Sequence, residues 1–510
     1  MALASVHGVV VDGVRGVMVR VEVAVSDGLP SVGLVGLPDA SVSESRWRAR
    51  CAVDSAKRPW PNRRITISLS PAEMRKHGAG LDLPIAVGVL AAAGSVPTTV
   101  LAGTAFIGEL GLDGRLHRAQ GTLASVLAAR DHGIASVVIP WESQPEVDRV
   151  PGVTIRGAGD LSDVCALLEG GEPPSPPRTA AVVPAESGLA PRPDLADVRG
   201  QQLARWGLEV AAAGGHHLAF IGTPGVGKTL LVQRLPGVLP DLDDDVALEV
   251  EAIHSVAGTG RPLAAYRHPP LQAPHHAASA AALLGSARGG RVIPGAVTLA
   301  HHGILFLDEA PEFSRPALEG LRQPLESGTI AVHRTGWQGT LPARFQLALA
   351  ANPCPCGLRV GTGAACSCSP SAVRRYAARL SGPLMDRIDI RLVLGRPADA
   401  ELTSSQSPEG SDAVRERVED ARARARDRLA ETPWRLNADV PAGELRRRFT
   451  PSSEGAEMLR SFEQRASNLR GGDRVLRLAW TLADLAGRRQ PGRDEVAGAL
   501  SLRGASGAWM

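Results

Sequence analysis

Apolar and polar residues are arranged in distinct ways along this chain, and the changes mark its domains. Near the start, "HGVVVDGVRGVMVRVEVAV" sets β-branched residues on both sides of a Gly-containing turn and predicts a hairpin. "RRITISLS" and "SVVIP" predict further strands, whereas "DLPIAVGVLAAAG" and "GTLASVLAARDHG" have helical composition, the second closing on a Gly stop. Residues 1–168 therefore read as an α+β domain. From "DLADVRGQQLARWGLEVAAAGGHH" to residue 394, strands and helices alternate as in a parallel-sheet nucleotide-binding domain. Residues 412–510 read as a helical tail containing "VRERVEDARARARDRLAE", whose mixed charges suit a solvated helix face, and "RVLRLAWTLADLAGR". The segment 169–194, with "GGEPPSPPRTAAVVPAESGLAPRP", is too poor in large apolar residues to build a core and reads as a Pro-rich linker. Residues 395–411 form a second polar connector. The fold class is α/β, and no solenoid repeat is visible.

Composition narrows the setting. A length of 510 residues suits about three domains of ~100–200 residues each. A net charge of +3 permits a polyanionic partner without arguing for one. The start lacks a basic segment followed by a long apolar one, and the apolar runs fall short of the ~20 residues that span a bilayer. The expectation is a cytoplasmic chain with no membrane partner, whose six cysteines stay reduced.

Four segments carry chemistry. "GTPGVGKT" aligns Gly222, Thr223, Pro224, Gly225, Val226, Gly227, Lys228 and Thr229 as a phosphate-binding loop between an apolar strand and a helix. Its backbone N–H groups wrap phosphates, Lys228 reaches the outer ones and Thr229 ligates Mg²⁺. "GILFLDEA" ends a buried strand in Asp308 and Glu309, suited to holding Mg²⁺ through water and to orienting the attacking water. "FQLALAAN" ends another strand in Asn352, either a γ-phosphate sensor or a turn former before Pro353. "SGPLMDRIDI" places Arg387 among acids, either an arginine finger for a neighbouring subunit or one member of a cluster with Asp386 and Asp389. Together they point to ATP hydrolysis with ATP and Mg²⁺ as cofactors.

Cys354, Cys356, Cys366 and Cys368 follow Asn352 closely. Four thiols in a reducing compartment fit a tetrahedral structural Zn²⁺ site, although zinc sites more often use C-x₂-C spacing. Unligated cysteines in a tight turn are the alternative. Adjacent histidines at 216/217, 275/276 and 301/302 invite a metal reading, but neighbours on a strand point to opposite faces, so most are expected to be structural.

The succession of "DLADVRGQQLARWGLEVAAAGGHH", "GTPGVGKT", "APHHAAS", "LAHHGILFLDEAPEF", "ANPCPCG", "SGPLMDRIDI" and "LRLAWTLADL" resembles the ComM/YifB family of magnesium-chelatase-like AAA+ ATPases, and "GLPSVGLVGLPDASVSESRWR" and "FIGELGLDGRL" extend the likeness over the first 168 residues. The resemblance implies a Lon-protease-like (S5-fold) N-terminal domain, an AAA+ core and a helical lid, assembled as a hexamer. It implies Lys228, Thr229, Asp308, Glu309 and Asn352 as Walker A, Walker B and sensor 1, with Arg387 as the trans-acting finger. Arg470 matches sensor 2, with Arg474 and Arg477 as alternatives. It also implies that the hairpin in "GTIAVHRTGWQGTLPARFQL" faces a central pore, with Arg334 and Trp337 as DNA contacts through phosphate and base stacking; an ordinary solvent hairpin is the other reading.

The chain departs from the family pattern in two places. Pro269 and Gln272 stand where arginines approach the "APHH" element, which puts DNA contact by that loop in doubt. The Lon-type nucleophile position falls on Gly80, and "GTLASVLAARDHG" has no lysine, so peptide hydrolysis lacks its Ser–Lys pair. The functions implied are a DNA motor for branch migration of recombination intermediates in natural transformation, with recombination or DNA-processing proteins as partners, or the motor subunit of a magnesium-chelatase-type complex; an ATP-dependent protease is disfavoured.

Overall fold

The computed structural model describes residues 1–171, 192–261, 265–288, 291–334, 337–359, 365–397, 401, 407–466 and 469–504. Most of the linker expected at 169–194 and half of the connector at 395–411 lie outside them. Among the described residues no helix is long and apolar enough to cross a membrane.

The N-terminal hairpin forms as its sequence requires. Strand β1 (Ala2–Asp12) pairs antiparallel with β2 (Arg15–Ser26) from Ala2–Val25 to Asp12–Arg15, turning at Gly13 and Val14. These strands join β3 (Ser31–Val35), β4 (Arg64–Ser70), β5 (Thr104–Phe106), β8 (Ser136–Pro140) and β9 (Thr154–Ala158) in a seven-stranded sheet ordered β3-β4-β2-β1-β5-β8-β9. A small ribbon, β6 (Glu109–Leu110) with β7 (Leu116–His117), lies apart from it. Val19, Val21, Val23 and Val25 alternate onto one face of β2, where Ile65, Ile67 and Leu69 of β4 meet them. The helix Asp82–Ala92 is buried along its whole length against this face. Its first residue, Asp82, is itself buried and is matched by two Arg48 nitrogens at 2.7 and 2.9 Å, so the carboxylate is not left unpaired.

The second sheet is entirely parallel: β11 (Leu271–Gln272), β14 (Ile304–Leu307), β17 (Gln346–Ala351), β10 (Leu218–Gly222) and β18 (Ile390–Leu394), in that order. Every residue of β10, β14 and β17 is buried, the pattern of strands covered on both faces. Two antiparallel ribbons stand outside the sheet, β12 (Ser286–Arg288) with β13 (Arg291–Ile293) and β15 (Thr329–Arg334) with β16 (Trp337–Pro342).

Alternate residues of the parallel strands enter two separate cores. Ala219, Leu305, Leu307, Leu347 and Leu349 pack on the side that also holds Leu248, Ile253 and Val256 from the helix Asp244–Ala257 and Val9, Val14 and Leu123 of the N-terminal domain. Leu218, Phe220, Ile304, Phe306, Ala348 and Ala350 face the helix Gln202–Gly214 and the C-terminal Val475, Leu478 and Trp480.

A polar network joins the sheet to the C-terminal helices. His216, fully buried, faces Asp389 Oδ2 at 3.0 Å and Thr481 Oγ1 at 2.8 Å. Asn437 Nδ2 donates to Thr481 Oγ1 and to Asp484 Oδ2, at 3.0 and 2.8 Å. Arg428 pairs with Asp484 and lies 4.3 Å from the Trp480 ring centroid. Burial works against the Asp389 carboxylate, but the hydrogen bond and charge of His216 hold it below the ordinary carboxylate range.

Asp484→Ala would leave Arg428 and Asn437 facing no carboxylate, at an expected cost of about 3–5 kcal/mol, read as a lower urea midpoint. Burial pushes His217, His254 and His302 down to about 4 from the usual 6.5. The unfolded chain therefore takes up these protons first as pH falls. Stability is expected to be full above 6.5 and to decline steadily toward pH 4, checked by thermal midpoints across that range.

Candidate nucleotide-binding site

Three neighbouring parallel strands bring the expected residues to one edge of the sheet. Gly222 ends β10, Asp308 follows β14 and Asn352 follows β17, with Ile221 opposite Ala351 and Leu307 opposite Leu349. This carboxyl edge is where open parallel sheets bind ligands. The loop after β10 turns through Gly225 and Gly227, whose φ values of +78° and +97° leave a side-chain-free cradle leading into the helix Lys228–Val238.

Lys228 is buried, and its ammonium donates to the carbonyls of Gly222 (2.6 Å) and Thr223 (2.9 Å) and to Asn352 Oδ1 (3.1 Å). Burial lowers its pKa, while Asp308 and Glu309 pull the other way. Thr229 Oγ1 donates to Asp308 Oδ2 at 2.6 Å. These two hard oxygens lie within reach of one small ion, and Lys228 has only neutral oxygens at the distances above. The residues therefore fit a Mg²⁺-bound nucleotide phosphate.

Glu309 sits in a left-handed conformation, φ +50°, an uncommon state for a residue with a side chain. Its Oε2 is 3.1 Å from His276 Nδ1. The sequence offered no sign of this contact, because the histidine pairs were assigned to strands. In the structure His275/His276 and His301/His302 sit in turns with ring centroids 4.1 and 4.2 Å apart, so the opposite-face argument fails for them. Gln201 is a second residue not foreseen: its amide nitrogen bridges Val226 O (3.2 Å) and Gly395 O (2.8 Å), tying the loop to the end of β18. Tyr376, pushed up to about 12 by burial, hydrogen-bonds the Asn352 backbone.

The arginines divide. Arg387 pairs with Glu326 and donates to Pro383 O at 2.6 Å. The acid expected beside it, Asp389, instead engages His216 and lies 3.6 Å from Arg474. Arg477 donates to Val440 O at 2.9 Å. Arg474 and Arg477 thus make contacts within the C-terminal network and at its edge. Arg470 lies in the helix Leu469–Leu485, with its side chain outside the described residues.

The β15–β16 hairpin forms as expected, with Trp337 half-buried at its tip. Its Nε1 donates to Asp12 Oδ1 at 2.5 Å, and its ring lies against Gly13 in the β1–β2 turn. The N-terminal domain therefore holds this side of the hairpin. The side chain of Arg334 is outside the described residues. No Ser–Lys pair is assembled in that domain either. Lys76 is buried on the carbonyls of Pro71 and Met74, and Lys57 is exposed in a turn.

Cys354, Cys356, Cys366 and Cys368 converge, with all four sulfurs within 4.8 Å of one another and Cys354 buried. Sγ–Sγ separations are 3.3 Å for Cys354–Cys356 and 3.6 Å for Cys354–Cys366. Four soft donors on one point fit a tetrahedral Zn²⁺. A second cluster, Glu249, His301 and His302, does not fit a metal as well. His301 Nδ1 accepts the Arg344 N–H at 3.0 Å, which places the ring proton on Nε2, the atom that faces Glu249 at 3.5 Å.

The chain matches three family models: "Magnesium chelatase, subunit ChlI" over residues 194–402, "Subunit ChlI of Mg-chelatase" over 21–143, and "Magnesium chelatase, subunit ChlI C-terminal" over 408–503. An uncharacterized protein of Mycobacterium tuberculosis is 47% identical over 99% of both chains. YifB of Escherichia coli, also uncharacterized, is 39% identical over 95% of this chain and 94% of its own. "Competence protein ComM" of Haemophilus influenzae is 37% identical over 99% of this chain and 98% of its own. With the phosphate loop, the Asp-Glu strand end and Asn352 gathered on one parallel sheet, and with relatives similar from end to end, the chain belongs to the ComM/YifB family of magnesium-chelatase-like AAA+ proteins.

Proposed function

We propose that this protein is an ATP-driven DNA motor, a ring of six AAA+ subunits that migrates branched recombination intermediates during natural transformation. The observation that carries the reading is the shared strand edge, where Lys228, Thr229, Asp308, Glu309 and Asn352 meet, with the β15–β16 hairpin inserted in sequence between β14 and β17. The full-length similarity to a protein named for competence supports the cellular setting.

Lys228 meets the outer phosphates and Asn352 reports their presence through the Lys228 contact. Thr229 and Asp308 hold Mg²⁺, which supplies charge neutralisation at the phosphate oxygens. Glu309 orients the attacking water, and His276 holds the Glu309 carboxylate in place. Arg387 exchanges Glu326 for a neighbouring subunit's nucleotide on assembly, which makes hydrolysis depend on the ring. Cys354, Cys356, Cys366 and Cys368 would hold Zn²⁺ as a structural ion. The hairpin grips the DNA backbone through Arg334, with DNA-processing proteins delivering the substrate. A second reading, a motor driving metal insertion into a porphyrin, rests on the descriptions of the matched family models.

ATPase assays with and without single-stranded and forked DNA separate the two readings. DNA is expected to stimulate turnover and ATP to drive strand displacement; indifference to DNA in both assays removes the motor reading. Lys228→Ala is expected to abolish nucleotide binding. Glu309→Gln should bind normally and lose about 10²–10⁴ in turnover. His276→Ala should lower kcat several-fold with KM unchanged, the mark of an interaction used in the reaction and not in binding. Trp337→Ala should lower the thermal midpoint, because it removes the contact with Asp12.

A further inference from the structure

Asn352 accepts the Lys228 ammonium and, two residues later, Cys354 enters the thiol cage. The chain then turns tightly: Gly357 N–H donates to Cys354 O at 2.9 Å. At that turn Gly357 lies directly against the phosphate loop. A Cβ built there would stand 2.6 Å from Pro224 Cδ and 2.8 Å from its Cγ, closer than such atoms approach, and its φ is +78°. Only glycine fits both the conformation and the space. Pro224 sits between Thr223, whose carbonyl takes Lys228, and Gly225 of the phosphate cradle.

Taking the cysteine cage as a zinc site, the reading proposed above, we propose that the metal is a positioning element of the nucleotide site: it fixes the Cys354–Gly357 turn as a wall against Pro224, so that metal loading sets nucleotide affinity. Cys354 and Cys356 belong to the turn itself, and Cys366 and Cys368 come from later in the chain to the same point. A bound ion joins these halves, holding the turn against a loop that must keep its backbone N–H groups aimed at phosphate. Without the ion, nothing covalent or ionic joins the two C-x-C pairs among the described residues; thiol contacts and a backbone hydrogen bond between Cys356 and Cys368 are what link them. Outer supports of this kind act on a site without touching its ligand.

The full-length protein, purified without chelators, is tested by elemental analysis and by titration with a fluorescent ATP analogue in excess Mg²⁺. The titration is repeated after zinc is removed with a zinc-selective chelator and after zinc is returned. Stoichiometric zinc is expected, with nucleotide binding weakened by about tenfold or more on removal and regained on return. Gly357→Ala keeps all four thiols. It is expected to retain zinc but bind nucleotide about tenfold or more weakly. Retained zinc shows that the variant has folded around its cage. A chain that neither carries nor takes up zinc overturns the cage reading, and this proposal with it. A zinc-loaded chain whose nucleotide affinity is unchanged, either by metal removal or in Gly357→Ala, overturns the coupling while leaving the cage standing.

Discussion

Everything in this molecule depends on a parallel sheet whose strands face two ways at once. Because successive side chains leave a strand on opposite faces, Leu218 and Phe220 of β10 belong to the core shared with the C-terminal helices, while Ala219 belongs to the core shared with the N-terminal domain. β14 and β17 divide in the same manner. A strand so used has no face left for solvent, which is why its sequence is an unbroken apolar run. Its polar chemistry can appear only where the strand stops, at Gly222, Asp308 and Asn352.

That constraint explains what was legible in the sequence. "LAFIG", "ILFL" and "QLALAA" announce buried strands by composition, and the residue following each is forced to the same edge by parallel pairing. The phosphate loop, the Asp-Glu pair and Asn352 were therefore readable as one site although long stretches of chain separate them. The N-terminal hairpin and the β15–β16 hairpin were equally readable, because their pairing is local.

The parts that escaped are contacts between elements with no local rule. Trp337 looks like an exposed hairpin aromatic, and nothing near it in sequence indicates Asp12 as its partner. Arg387 lies among acids, yet it pairs with Glu326 from a distant helix, while Asp389 engages the buried His216. The histidine pairs were misplaced for a simpler reason: a two-residue rule for strands says nothing about turns, and His276 meets Glu309 from a turn following the short edge strand β11.

The bond between Asp12 and Trp337 joins residues 325 apart in the chain. During synthesis the first hairpin is complete long before its partner exists. Val9, Val14 and Leu123, which end in a core shared with residues of the parallel sheet, must wait with apolar surface uncovered until that sheet is made. The N-terminal domain is thus an early folder with an unfinished side. The order in which the chain emerges makes the nascent protein adhesive for as long as the parallel sheet is missing, so a chain truncated after residue 171 inherits that adhesiveness permanently.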